Sequence, residues 1–411
     1  MDLISLLLYF AGAAIVLTLI GKFIFKQQNI FIQFIRNFVG VWFIFSGVVK
    51  AIDPAGTQIK MEEYFEIFEK SFSFFGFLWK FGVEHALAVS VFMIILEIYL
   101  GIALILGTWK KLTLWLLVLL ILFFTFLTGY SAKTNKVTDC GCFGDFIKLA
   151  PIQSFYKDIL LTVLSFILLF GQKYIKDILG VIPNRIILGV LTLASIWFTY
   201  RNIVHEPIVD FRPYKVGTSV PDCLKLPPNA KKTIVDMVYT YKNKKTGEVK
   251  EFKNSYPDPA DYANWQYLDR KDVIVQKGDE PKCKDFIIKD ANSGDNTAMF
   301  FEEPEYLFFI LSPNLDKANE KAFSKMIPVT EDAIKDGKYA FVITGSIPSE
   351  AEAFKAKMKI PYDFYFMDPT PIKTIMRSNP GLLIMKQGKI IAKFHYNDVP
   401  SYSDIKKLYL K

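Results

Sequence analysis

Cysteine is the residue type whose spacing offers chemistry in this chain. Of the four cysteines in 411 residues, Cys140 and Cys142 lie two apart in Thr138-Asp139-Cys140-Gly141-Cys142-Phe143-Gly144-Asp145. Bridged Cα atoms stand about 4.4–6.8 Å apart. A C-x-C segment reaches that only if its middle residue bends, and Gly141 supplies the freedom. A strained, exposed bridge is oxidising and exchanges readily. The stretch therefore reads as a redox dithiol with Cys140 and Cys142 as the reacting groups; a static staple of the loop and half of a metal site are the alternatives. No histidine lies nearby, which argues against metal. Cys223 and Cys283 read as a structural disulfide closing a loop of about 60 residues, a constraint that stabilises by about 4 kcal/mol in the chain-entropy picture. The sharper alternative has Cys223 exchanging with the C-x-C pair.

Charges within apolar runs are the second signal. Glu97 sits inside Val91-Phe92-Met93-Ile94-Ile95-Leu96-Glu97-Ile98-Tyr99-Leu100-Gly101. A carboxylate at the centre of a bilayer costs about 2.5–3.5 kcal/mol on insertion scales, so it should face other helices and have a partner. Arg36, Lys50 or a tyrosine hydroxyl fits that role. A helix-packing contact and a proton or quinone site are both open readings. Asp158, near one end of a later run, is a weaker case of the same kind.

These residues need a membrane to position them. The chain is 52% hydrophobic and 22% charged, with mean hydropathy +0.25, which excludes disorder, collagen and coiled coil. Lys and Arg number 17 against 12 Asp and Glu before His205, and 32 against 29 from there on. Neither half carries a nucleic-acid-binding excess; the surplus reads as loop anchoring at a lipid bilayer. Six runs approach the roughly 20 apolar residues that a span needs: Leu3–Phe25, Phe34–Ile52, Ala86–Trp109, Leu112–Tyr130, Phe155–Gly171 and Ile182–Tyr200. Lys157 and Asp158 shorten the fifth. The start, Met1-Asp2-Leu3-Ile4, lacks the basic residue of a cleavable leader. Lysines and arginines collect in the first–second, third–fourth and fifth–sixth connections. Both termini and all four cysteines then lie on the outer side, the periplasm of a bacterium with two membranes, where disulfides persist. In the long second–third connection, Met61, Tyr64, Phe65, Phe68 and Phe72 recur at helical spacing, predicting an amphipathic helix that lies at the interface or caps the bundle. The aromatic run Phe72–Trp79 follows it as an interfacial segment, with a binding groove as the alternative.

The run Phe45-Ser46-Gly47-Val48-Val49-Lys50-Ala51-Ile52-Asp53-Pro54 resembles a signature of the DoxX family, as does Glu97-x-x-x-Gly101 followed by Leu104-Ile105-Leu106-Gly107. Asp139-Cys140-Gly141-Cys142-Phe143-Gly144 resembles the motif of its MauE-type branch, the methylamine-utilisation membrane proteins. The likeness covers residues 31–172 as a four-helix core; residues 1–30 and 173–204 add a helix each. It implies a membrane protein assisting disulfide chemistry or periplasmic maturation, sometimes beside a quinone-linked oxidase, so a quinone is the one cofactor it brings to mind.

Beyond residue 205 the chain reads as soluble. Residues 205–282 form a Pro-rich linker and an inserted hairpin, Ile234–Tyr241 with Glu248–Phe252. From Asp285 onward strands and helices alternate: strands at Phe286–Lys289, Tyr306–Leu311, Lys338–Thr344 and Tyr362–Met367, helices at Leu315–Lys335 (broken at Pro328) and Ser349–Met358. A hairpin, Gly381–Lys386 with Lys389–His395, and a helix, Ser403–Leu410, close the chain. This α/β order over residues 283–411 resembles the thioredoxin fold, and Asn379-Pro380 resembles its cis-proline turn. Where that family carries C-x-x-C, this chain has Ser312-Pro313-Asn314-Leu315, so the resemblance implies a docking domain using the face beside Pro380. His205 and His395 have no catalytic neighbours in sequence. The expectation is an inner-membrane helical bundle with a periplasmic thioredoxin-like domain lacking CxxC, acting in thiol–disulfide chemistry with a periplasmic or membrane protein partner. The alternative is a non-enzymatic scaffold of an envelope complex.

Overall fold

The structure, a computed structural model, describes residues 3–71, 76–137, 141–276 and 278–410. Eight helices come first: α1 (Leu3–Phe23), α2 (Ile30–Ile52), α3 (Pro54–Ser71), α4 (Gly76–Glu84), α5 (Ala86–Leu106), α6 (Lys110–Thr134), α7 (Pro151–Phe170) and α8 (Val181–Val204). Among the described residues, α1, α2, α5, α6, α7 and α8 are long and apolar enough to cross a membrane. Their boundaries follow local chemistry. Asn29 caps α2, its side chain accepting the Ile32 N–H. Gly107 ends α5 at φ 81°, where a Cβ would stand 2.3 Å from the Lys176 carbonyl oxygen. Pro151 opens α7, four residues before the start expected from hydropathy. Lys157 and Asp158 therefore lie within this helix and do not cut it short.

The bundle is built around α2, whose apolar window is 72% buried against 11% for α8. It packs on α1 and α5, while α6 pairs with α7. Small residues let α2 and α5 approach: a Cβ on Gly101 would meet the Gly40 carbonyl oxygen at 2.8 Å, and one on Gly47 the Ile98 Cγ1 at 2.5 Å. The amphipathic helix predicted from Met61, Tyr64, Phe65 and Phe68 is α3. It caps one end of the bundle, with those four residues buried and the Tyr64 hydroxyl 2.8 Å from Ser131 Oγ of α6. Of the aromatic run after it, residues 72–75 lie outside the described set and Gly76–Trp79 begin α4, where Trp79 packs on Phe65 and Phe68.

The C-terminal part is an α/β region preceded by a small sheet. After the four-residue helix α9 (Val220–Cys223), strands β1 (Ile234–Asn243), β2 (Val249–Lys253) and β3 (Trp265–Gln276) form an antiparallel sheet in the order β2-β1-β3. Helix α10 (Thr297–Glu302) follows, then β4 (Leu307–Ser312), α11 (Glu320–Lys335), β5 (Tyr339–Thr344), α12 (Pro348–Met358), β6 (Phe364–Phe366), α13 (Pro369–Ile375), β7 (Gly381–Lys386), β8 (Lys389–His395) and α14 (Tyr402–Tyr409). The five strands run in the order β6-β5-β4-β7-β8, with β4, β5 and β6 parallel and β7 and β8 antiparallel additions. Every residue of the central β4 is buried. Phe308 and Ile310 face a core with Phe323, Met326 and Ile405, and Leu307, Phe309 and Leu311 face another with Val220, Phe300 and Ile372.

Four expectations need correction. Helix α11 begins at Glu320, not Leu315, and runs through Pro328. An internal proline costs about 3 kcal/mol, and the buried stripe Ala322, Phe323, Met326, Thr330 and Ala333 on both sides of it outweighs that loss. Phe286–Lys289 is no full strand; Lys289 alone forms isolated bridges, to Phe366 and to Asp295. The Pro-rich stretch after residue 210 is not a free linker, since Gly217 and Val220 donate N–H bonds to Ile390 and Gly388 and cover the β8 edge. Strand β3 was not foreseen at all. Cys223 and Cys283 are joined in a disulfide that ties this strap to the segment entering the α/β core.

Replacing Gly101 with valine should force α2 and α5 apart and destabilise the bundle by about 1–3 kcal/mol. Unfolding of the purified protein in a graded denaturing-detergent series measures this, and an unchanged midpoint contradicts the packing described here.

Candidate functional site

The end of the bundle beneath α3 holds a chamber walled by charges. Lys50, in the last turn of α2, reaches Glu97 of α5 at 2.5 Å, and both side chains are almost wholly buried. The ammonium also lies 4.7 Å from the centre of the Phe124 ring. Of the sequence candidates for the partner of Glu97, Lys50 is the one in place. Arg36 is not: it lies 14 positions earlier on α2, about 21 Å along the axis, and donates to the carbonyl oxygens of Ile105 and Lys176 at the opposite end of the bundle. Asp158 also faces the chamber. It pairs with Lys157 at 2.6 Å and accepts a hydrogen bond from Thr128 Oγ1 at 2.9 Å. Burying these ions in pairs is what makes their presence tolerable.

Gly141 and Cys142 of the cysteine loop line the chamber. Phe143 is wholly buried against Trp42 and Phe45, and Ser46 Oγ donates to the Cys142 carbonyl oxygen at 3.1 Å. This anchorage sets the partly buried Cys142 thiol in hydrogen-bonding contact with the Lys157 ammonium. Cys140 lies outside the described residues; among those described, Cys142 is the one free thiol. Gly141, at φ 64°, passes under α3, where a Cβ would stand 3.0 Å from Lys60 Cγ. Burial pushes the Cys142 thiol above its ordinary value of 9.0; Lys157 and Lys50 pull it down, Asp158 pushes it up, and burial prevails.

Met93, Phe124 and Leu127 supply apolar wall between the ion pairs. The void is about 40 Å³, with about 20 Å³ more beside Asp158, which is room for a few water molecules. A quinone ring is larger than this volume. Among the described residues no three His, Cys, Asp or Glu side chains come together as metal ligands.

The α/β region rests on the same end of the bundle. Arg377 lies in the turn before the Asn379–Pro380 peptide, which is cis. Its guanidinium binds Asp53 at 2.6 Å and Asp145 at 3.4 Å, and its backbone N–H donates to Glu206. Burial alone would raise the Asp53 carboxyl, but Arg377 outweighs it and holds Asp53 below the usual carboxylate range. A second contact joins Lys373 to Glu62 of α3 at 3.9 Å. Pro380 is buried, and Asn379 bonds Ser312 and the Asn314 carbonyl at the end of β4. Reasoning from sequence missed Lys157, Asp53, Asp145 and Arg377. The adjacent Lys157-Asp158 pair in an apolar run was the available signal for the first; nothing in sequence pointed to Arg377.

Fold and charged interior define a multi-pass membrane protein with a C-terminal α/β region. Residues 28–171 match the family model described as methylamine utilisation protein MauE, so the part that builds the chamber is similar to that family. Comparison with curated proteins finds no match.

Two outcomes test the site. Lys50→Met should leave Glu97 buried without its partner and cost about 3–5 kcal/mol, whereas Lys50→Met/Glu97→Gln should recover most of it; unfolding midpoints of the single and double variants decide. Alkylation of Cys142 by iodoacetamide should still be accelerating with pH at pH 9, and a rate already level at pH 8 would contradict the burial argument.

Proposed function

We propose that this protein exchanges thiols and disulfides at the outer face of a bacterial inner membrane, assisting the maturation of periplasmic proteins, with Cys140 and Cys142 as the exchanging pair. The observation that carries the reading is the Cys142 thiol held against the Lys157 ammonium at the wall of a charged chamber. A cation beside sulfur favours the thiolate, which is the attacking species. In the proposed exchange, Cys142 thiolate attacks a partner disulfide, forming a mixed disulfide and expelling the partner's second sulfur as a thiolate that takes up a proton. Cys140 then gives up its proton and attacks Cys142, forming the Cys140–Cys142 disulfide and releasing the partner as a dithiol. A second protein dithiol, oxidised in turn, returns the pair to its reduced state.

The remaining parts follow from the same reading. Residues 31–172 act as a DoxX-related core, with 1–30 and 173–204 as added helices. Residues 205–282 link to a thioredoxin-like domain, 283–411, on the outer side. The positive connections and the Cys223–Cys283 disulfide support that orientation. Ser312-Pro313-Asn314-Leu315 offers no thiol, so the domain does not itself exchange disulfides. That same segment favours a second reading, a scaffold or accessory subunit in which the domain only docks.

Thiol trapping in intact cells separates the two. With Cys140→Ser, Cys142 should accumulate in a mixed disulfide with another protein, visible as a reducible shift on gels. Full function in the Cys140→Ser/Cys142→Ser double variant would end the exchange reading and leave the scaffold.

A further inference from the structure

The end of the bundle opposite the chamber carries an exposed positive patch that the proposed exchange does not use. Two segments build it: residues 106–111, where α5 turns into α6, and residues 173–185, which lead from α7 into α8. Hydrogen bonds fasten them together. The Ile178 N–H donates to the Leu106 carbonyl oxygen at 3.1 Å, and Asn184 Nδ2 donates to the same oxygen at 2.8 Å. The two segments hold Lys110, Lys111, Lys173, Lys176 and Arg185 against one carboxylate, Asp177. That carboxylate already accepts a hydrogen bond from Asn184 at 3.0 Å. Arg36 adds a further cation, wholly buried beneath the patch and bonded to the Lys176 carbonyl oxygen. Lys110 is drawn to the Ile175 carbonyl oxygen at 3.2 Å, next to Lys176. The Arg185 guanidinium lies 5.3 Å from the centre of the Trp109 ring, which ties the start of α8 to the start of α6.

We propose that this patch binds the headgroup of an anionic phospholipid. Clustered cations whose one neighbouring carboxylate is occupied call for an anion, and basic pockets between spans take charged headgroups. What lies beside the charge makes that anion a lipid. Along α8, Arg185 is followed by exposed Ile186 and Val190; along α6, Lys111 is followed by exposed Leu112 and Trp115. These apolar side chains run from the charged end toward the middle of the spans. A phospholipid has the same order, with phosphate at the interface and acyl chains along the helices. A soluble acidic protein would leave the apolar part uncovered. Trp109, about half exposed, is of the residue type that settles at headgroup level. Arg185 beside it presents a planar fork that matches phosphate. In the orientation proposed above the patch faces the inner leaflet, whose surface is negative. Binding relieves the repulsion among the cations and fastens the two segments to one another. The site is independent of the thiol exchange.

Native mass spectrometry of the full chain in detergent micelles, titrated with dioleoylphosphatidylglycerol or dioleoylphosphatidylcholine, tests the site. The anionic lipid should bind about tenfold tighter than the zwitterionic one or better. Lys111→Gln and Arg185→Gln should each weaken its binding about fivefold, and together about thirtyfold, since each cation near an anionic headgroup contributes roughly that factor. Lys133→Gln, in the last turn at the other end of α6, should change nothing. Size exclusion identifies folded variants, and Lys176→Gln, with the same expected loss, replaces either single variant that is not recovered. Equal affinity for the two lipids, undiminished binding by the double variant, or an equal loss with Lys133→Gln overturns the site. Displacement of the lipid by equimolar inorganic phosphate shows a bare-anion site and overturns the lipid assignment.

Discussion

Two ammonium–carboxylate pairs inside an apolar bundle are the constraint on which the rest of this structure depends. Glu97 without a partner would carry the full cost of a carboxylate in hydrocarbon. Lys50 satisfies it only because α2 and α5 lie close, and they lie close because Gly40, Gly47 and Gly101 put hydrogen atoms where side chains would clash. Charge pairing and helix packing thus require one another. Lys157 and Asp158 repeat the arrangement on α7, turning a polar stretch inward that would otherwise face lipid. The cysteine loop is then placed by what these helices leave open: Phe143 fills the space beside Trp42, and the thiol arrives beside the second pair.

How much of this was legible in sequence depends on distance along the chain. Six spans were readable because a bilayer demands long uninterrupted apolar runs, and each lies within a few residues of its observed helix. Glu97 was recognisable as a residue in need of a partner. Sequence could not choose between Arg36 and Lys50, because both lie on α2 and only the fold says which end faces Glu97. Lys157 was read as shortening the fifth apolar run, since hydropathy counts a charge and does not see that it points inward. Strand β3 was missed for a related reason. Its Asp269-Arg270-Lys271-Asp272 run breaks any alternation, and its place is fixed by pairing with β1, whose Tyr239 and Tyr241 carry the buried pattern. The contact between Arg377 and Asp53 spans 324 positions and has no local signature whatever.

The α/β region shows how edges and junctions are managed. The β8 edge is covered by residues 217–220 and the β6 edge by Lys289, so neither outer strand offers a long open row of backbone groups. The disulfide fastens the covering strap to the segment that enters the core. At the junction with the bundle, Arg212 joins Glu206 and Asp210, and Lys393 shares Asp210. Burial and the neighbouring Arg212 draw the Lys393 ammonium down to about 8 although Asp210 and Glu206 oppose them. Positive and negative groups alternate across the whole junction, which gives the two regions a defined seating that apolar contact alone would leave free to slide.

A buried thiol beside a cation is under two opposed influences. Desolvation favours the neutral SH and wins in the resting arrangement, while Lys157 favours the thiolate. The lysine cannot do more, because its charge is already engaged by Asp158. The balance changes only if the desolvation is relieved, and water relieves it. More water at the sulfur shifts the balance toward the thiolate. Hydration and activation therefore act together in this architecture: whatever brings more water to the partly buried sulfur also makes it a better nucleophile.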